Sequence, residues 1–137
     1  MVKKQLLVVA AALIDEKGRY LMQRRSAEKD YAGLWEFPGG KVEPAEIAAT
    51  ALIRELREEL DIKVAPEACK PTIFAEDQGR SGAQAIVICL YTIAMWEGEP
   101  RAMEGGELSW FLPEEMPALE LPPLDRDLAS RLPAKTS

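Results

Sequence analysis

Gly40-Lys41-Val42-Glu43-Pro44-Ala45-Glu46-Ile47-Ala48-Ala49-Thr50-Ala51-Leu52-Ile53-Arg54-Glu55-Leu56-Arg57-Glu58-Glu59-Leu60-Asp61-Ile62 is the stretch on which the reading of this chain turns. At about 100° per residue, a helix through its second half sets Leu52, Ile53, Leu56 and Leu60 on one arc and Glu55, Glu58 and Glu59 on the next. One face packs and its neighbour collects carboxylates. Like charges at these spacings destabilise a helix by a few tenths of a kcal/mol per pair, so the cluster is expected to hold a compensating cation. Oxygen ligands of this hardness suit magnesium or manganese. The plain alternative is a solvated face with Arg54 and Arg57 as partners, and the charge cluster alone favours it. The frame reverses that balance, because Gly40, Glu46, Arg54, Glu55, Leu56, Glu58 and Glu59 occupy fixed offsets that chance rarely produces together.

This spacing resembles the Nudix box, the signature of hydrolases that cleave nucleoside diphosphates linked to another group. The resemblance runs along nearly the whole chain. AGLWEFPGGKVE, the box, WEGEP followed by Glu104, and LPPLD all look like the MutT-type branch. That branch includes enzymes that clear oxidised guanine nucleotides such as 8-oxo-dGTP, and relatives that hydrolyse CTP or dCTP. The resemblance implies a Nudix fold, an α/β/α sandwich on a central mixed sheet within the α+β class. It also implies Mg2+ as cofactor, with Mn2+ as a substitute, held by Glu55, Glu58, Glu59 and the carbonyl of Gly39. Glu104 aligns with a further carboxylate across from the helix, although a small register slip would exchange it for Glu99 or Glu107. Gly40, Glu46 and Arg54 are similar to the structural members of the box. The carboxylate of Glu46 then helps hold the loop against the helix, outside the chemical step.

The implied reaction is attack of water on the β-phosphorus of a nucleoside triphosphate, releasing the monophosphate and pyrophosphate. Metal-bound triphosphate has its charge neutralised, so the metal serves as Lewis acid, template and water activator. Glu58 or Glu55 is the candidate base, with Glu104 as a rival. Arg25 and Lys41 are candidate contacts for phosphate or base, and each reads equally simply as a strand-end charge. Asp125 sits where MutT-type enzymes place an amide or carboxylate against the nucleobase, yet an Asp in a helix's first turn is favoured by the dipole in any case. Trp35 and Phe37 come next as base contacts.

Asp61 departs from the pattern, standing where the box usually has a glycine. Asp tolerates the positive φ expected at such a helix end, but its charge opposes the dipole and costs a few tenths of a kcal/mol. No Ser, Thr, Asp or Asn stands at Ile47 to cap the helix, so its start lies open between Pro44 and Ala48.

The rest of the chain sets bounds. At 137 residues, with 47% hydrophobic and 29% charged content, it is expected to form a single domain, residues 1–137, with its own core. A net charge of −6 argues against wrapping a nucleic-acid polymer, though a small phosphate ester arriving with its metal is compatible with it. The chain has no His, so His triads and His metal sites are excluded and the general base is a carboxylate, or else Lys or Tyr. Cys69 and Cys89 fit free thiols in a reducing cytoplasm. The early lysines and apolar run lead into Asp15-Glu16-Lys17 without a cleavage site and read as a strand, and the apolar run Ala85 to Trp96 is too short to span a bilayer. A cytoplasmic monomer or homodimer, without membrane contact, is the expectation.

Strands are predicted at Leu6–Ile14, Tyr20–Arg25, Thr72–Ala75, Ala85–Trp96 and Leu108–Leu112, the first two as a hairpin through Lys17-Gly18. A helix is predicted over Pro123–Leu132. Two other functions fit the sequence less well. A catalytically silent nucleotide-sensing Nudix module need not keep all the box carboxylates, which this chain does. An ADP-ribose or dinucleoside-polyphosphate hydrolase needs its own specificity elements outside the box, and none is recognised.

Overall fold

The computed structural model describes residues 5–26, 33–77 and 84–133. Part of the polar stretch Ser26–Asp30 and most of the loop before Ala85 lie outside the described residues. The apolar run near the start forms β1, Gln5–Leu13, whose last five residues are buried. It is interior because strands flank it on both sides. It pairs in parallel with β6 (Ala85–Ile93) and antiparallel with β4 (Gly39–Lys41), and β5 (Lys70–Asp77) closes the far side of β6. A second sheet holds β2 (Tyr20–Arg24) between β3 (Trp35–Glu36) and β7 (Glu107–Phe111).

The period of two along β1 serves both faces, as expected for a strand covered on both sides. Val9, Ala11 and Leu13 join Leu52, Leu56 and Leu60 of helix α1 (Ala48–Leu60) in one core, while Ala10 and Ala12 join Leu128 of helix α2 (Pro123–Ser130) in the other. Leu52, Leu56 and Leu60 are fully buried, contributing about 1.5–3 kcal/mol each. The sheet thus lies between helices, as the resemblance implied. No helix among the described residues is long and apolar enough to cross a membrane.

The expected hairpin is corrected. β1 and β2 fall in different sheets and meet only at an isolated bridge, Ile14 to Tyr20. Both edges of β1 are taken by β4 and β6, so β2 finds partners elsewhere. Asp15 turns the chain between them, its carboxylate accepting the N–H groups of Lys17 and Arg19 at 2.9 Å. Helix α1 starts at Ala48 after an extended, uncapped Ile47, which settles its open boundary. Asp61 has φ 56° and ψ 41°, the left-handed conformation expected at that position.

Candidate active site

The site grows from the meeting of β4 with α1. Gly39 and Gly40 let the strand approach its neighbours more closely than a side chain permits. A Cβ on Gly39 would overlap the carbonyl of Val9, and one on Gly40 would stand 2.6 Å from both carboxylate oxygens of Glu55. Gly39 N–H donates to Glu59 Oε2 at 3.1 Å, tying the strand to the acidic face of the helix.

The loop into the helix is held by one arginine. Arg54 Nε donates to Glu46 Oε2 at 2.9 Å and Nη2 to Glu46 Oε1 at 3.0 Å, a two-pronged contact that fixes direction as well as distance. Nη2 also reaches the Lys41 carbonyl at 3.2 Å, and Glu43 N–H donates to Glu46 at 2.9 Å. This network pulls the Glu46 carboxyl down to about 2, through the Arg54 hydrogen bond first and the Glu43 N–H second. Ala45 sits within the same loop at φ 68°, a strained conformation for a residue with a Cβ.

The acidic face is not uniform. Burial pushes the Glu59 carboxyl up to about 8, with the charges of Glu55 and Glu104 adding to it. Glu55 is raised as well, burial leading and Glu58 and Glu104 contributing, while Arg54 Nη1 at 2.9 Å works the other way. Glu58 stays solvated, its side chain 56% exposed and 3.6 Å from Arg54. Glu104 lies within the field of Glu55 and Glu59 because its loop docks on the end of α1. Arg101 N–H donates to the Leu60 carbonyl and Met103 N–H to the Glu59 carbonyl, both at 3.0 Å.

These residues meet at a cleft of about 480 Å³. Glu59, Glu104, Gly39, Gly40 and Lys41 line it, together with Phe37, Asp125, Leu124 and Pro122. Val8, Ile86 and Ile88 supply an apolar wall, sharing one sheet face because Val8 pairs with Ile88 and Leu6 with Ile86. Asp125, only 7% exposed, sits in the first turn of α2 and accepts Phe37 N–H at 3.1 Å through Oδ2. Burial raises its carboxyl to about 7. Arg25 lies in the fields of both Asp125 and Glu59, with Nε 2.9 Å from Glu36 Oε1.

Most of the residues singled out from the sequence therefore converge. Glu55 and Glu58 do not line the cleft itself; Glu55 sits against Gly40 beside it. Trp35 is not brought in. Its ring packs edge-on against Phe111 at 5.1 Å, and its backbone N–H donates to the Glu120 carbonyl at 2.9 Å. Sequence reasoning passed over Glu36, Gln23 and the wall of Val8, Ile86 and Ile88, all of which line the cleft. The wall is visible only once the parallel register of β1 and β6 is known.

The donor set suits a hard divalent cation in its chemistry. It is all oxygen, and its members repel one another, their charges adding to the burial that raises the carboxyls of Glu59 and Glu55. A cation there would take the place of the proton on Glu59. Among the described residues the carboxylates do not form a closed cage, so the cation would have to draw them together.

The chain is similar to known proteins in both sequence and fold. The sequence model of the NUDIX domain matches residues 4–132. The chain is 40% identical to the CTP pyrophosphohydrolase of Escherichia coli (strain K12), over 88% of this chain and 87% of that one. It is 34% identical to the 8-oxo-dGTP diphosphatase of Haemophilus influenzae, over 94% and 93% of the two chains. Among solved structures, the MutT NUDIX hydrolase from Burkholderia pseudomallei superposes with a TM-score of 0.80 at 27% identity, covering 96% of this chain and all of that one. The chain belongs to the Nudix hydrolase family.

Proposed function

We propose that the protein is a magnesium-dependent nucleoside triphosphate pyrophosphohydrolase that releases a nucleoside monophosphate and pyrophosphate, with an oxidised guanine nucleotide such as 8-oxo-dGTP as substrate. One observation carries the reading. A single cleft is lined both by the carboxylates Glu59 and Glu104, with Gly39, and by Phe37, Asp125 and an apolar wall. The first group suits metal and phosphates, the second a flat base with a polar edge.

Glu55, Glu58, Glu59, Glu104 and the Gly39 carbonyl would hold the cation. When bound, it would neutralise phosphate oxygens and lower the pKa of a water. Glu46 and Arg54 hold the loop and the Lys41 carbonyl against α1, and the Gly39 N–H is tied to Glu59. Lys41 lies on the cleft wall, where its ammonium can meet a phosphate oxygen. Glu58 or Glu55 is the candidate to take the water's proton, with Glu104 as a rival. Asp125 recognises the base: with a pKa near 7 its carboxyl can accept from, or donate to, a purine or pyrimidine edge. Arg25, between Asp125 and Glu59, can face an acceptor oxygen on the same base.

A second reading has its own support. The relative that is 40% identical is named for CTP, and cytosine also presents an amine that a carboxylate can accept. Values of kcat/KM for 8-oxo-dGTP, dGTP, CTP, dCTP and ADP-ribose at low substrate concentration decide between them. A dominant rate on ADP-ribose would reject both.

A further inference from the structure

Asp61, the residue that replaces the usual glycine of the box, does more than end a helix. Its N–H donates to the Arg57 carbonyl at 3.2 Å, closing α1 in the left-handed conformation. Its carboxylate accepts Arg101 Nη2 at 2.6 Å. Arg101 belongs to the loop that carries Glu104, and the same loop places the Arg101 and Met103 N–H groups on the last carbonyls of the helix at 3.0 Å. Those carbonyls lack partners within the helix, so the loop supplies them. Glu104 follows Met103 directly, and the chain leaves it through Gly105 and Gly106, at φ 84° and 83°, which have no side chains to orient it. Beyond the glycines, Glu107 is anchored by its pairing with Arg24, and on the side before Glu104 the loop is held through Arg101 and Met103. A glycine at position 61 would keep the backbone bonds and lose the ion pair. The Asp, by contrast, is costly where it stands, opposing the dipole and taking a positive φ. Arg101, together with Arg57 at 4.0 Å, offsets that charge and holds the Asp61 carboxyl below its ordinary range.

We propose that Asp61 is a positioning residue, whose ion pair with Arg101 fixes the loop that presents Glu104 to the carboxylates of α1. The proposal rests on the reading of Glu104 as a member of the metal shell. Both side chains are partly solvated, at 36% and 64% exposure, which limits the effect to that of a single surface ion pair, about two- to fivefold.

The test uses the full chain and Mn2+ as probe, its binding followed by the electron paramagnetic resonance of the free ion without nucleotide. Asn tolerates the left-handed conformation, so Asp61→Asn removes the charge and keeps the helix end. Asp61→Asn and Arg101→Ala should each weaken Mn2+ binding about two- to fivefold, and the double variant no further, as partners in one contact do. In a Glu104→Gln background neither should weaken it again. Exchange of the Met103 amide should also quicken in Asp61→Asn. Unchanged Mn2+ binding in Asp61→Asn, with binding weakened by Glu104→Gln, would overturn the proposal alone. An equal loss in the Glu104→Gln background would assign Asp61 to stability and overturn it too. If Glu104→Gln leaves Mn2+ binding intact, the reading of Glu104 fails and takes the proposal with it. Should Asp61→Asn fold poorly, Asp61→Gly gives the same comparison.

Discussion

Glu59 of α1 accepts the backbone N–H of Gly39 at 3.1 Å, a bond that joins the acidic helix face to the strand whose next carbonyl is the candidate backbone ligand. Glu59 is also the carboxyl that burial pushes up to about 8, so it is the group for which a cation matters most. Glu59→Gln keeps an oxygen for the Gly39 N–H and loses the charge. We expect turnover to fall at least about a hundredfold, with melting temperature close to that of the parent. Near-parental turnover in a folded variant would remove Glu59 from the metal shell.

The paired glycines separate fold from function. At Gly40 the obstacle to a Cβ is the Glu55 side chain, 2.6 Å from each of its oxygens, whereas at Gly39 it is the Val9 backbone. A side chain can swing away and a paired strand cannot. Gly40→Ala is therefore expected to fold and to lose activity by displacing Glu55, while Gly39→Ala loses the fold first. Thermal unfolding beside kcat for the two variants checks this; equal destabilisation would show that Glu55 does not yield.

How much of this was legible in the sequence differs from residue to residue. The box was, since offsets along a helix translate directly into a face: Arg54, Glu55, Glu58 and Glu59 fall on α1, while Glu46 lies in the loop before it. The left-handed Asp61 was legible for the same local reason. The β1–β2 hairpin was misread because Lys17-Gly18 signals a turn but not which sheet receives the second strand, and that is decided by β4 and β6 occupying both edges of β1. The strand pairs at Trp35–Glu36 and Gly39–Lys41 are too short to carry a period. Glu36 was missed for lack of any local signal, its place being set by Arg25 across the sheet. Trp35, conspicuous as an aromatic beside the glycines, packs instead against Phe111.

Asp125 gives a pH signature. Its carboxyl titrates near 7 in the fold against 3.8 ordinarily, so between about 4 and 7 the folded state holds a proton that the unfolded chain has released. Its contribution is complete below about 4 and is lost as pH rises through 7, on the order of 4 kcal/mol at most. Asp125→Asn cannot ionise. Its melting temperature should fall less between pH 5 and 8 than the parent's, with the Glu59 contribution common to both; parallel curves would contradict the burial argument.

The same residue tests base recognition. Asp125→Ala should cut the preference for the best nucleotide over its competitors by roughly 1–3 kcal/mol while hydrolysis continues. An unchanged ratio of kcat/KM with lowered stability would make Asp125 a helix-end residue only. The search would then move to Phe37, which lines the cleft, before Trp35, which does not.

Chelation separates an all-oxygen site from other metal chemistry. Activity should vanish in excess EDTA and return with Mg2+ or Mn2+, with Zn2+ a poor substitute where no His or Cys lines the cleft. Full activity in excess chelator would be incompatible with the account.

Attack of water on the β-phosphorus of a nucleoside triphosphate bound in this cleft can be read from hydrolysis in H2 18O with Mg2+ and 8-oxo-dGTP or CTP, the products being resolved by mass. The expected products are nucleoside monophosphate and pyrophosphate, with the label in the pyrophosphate. Label in the monophosphate, release of nucleoside diphosphate and phosphate, or no turnover of either nucleotide would contradict it.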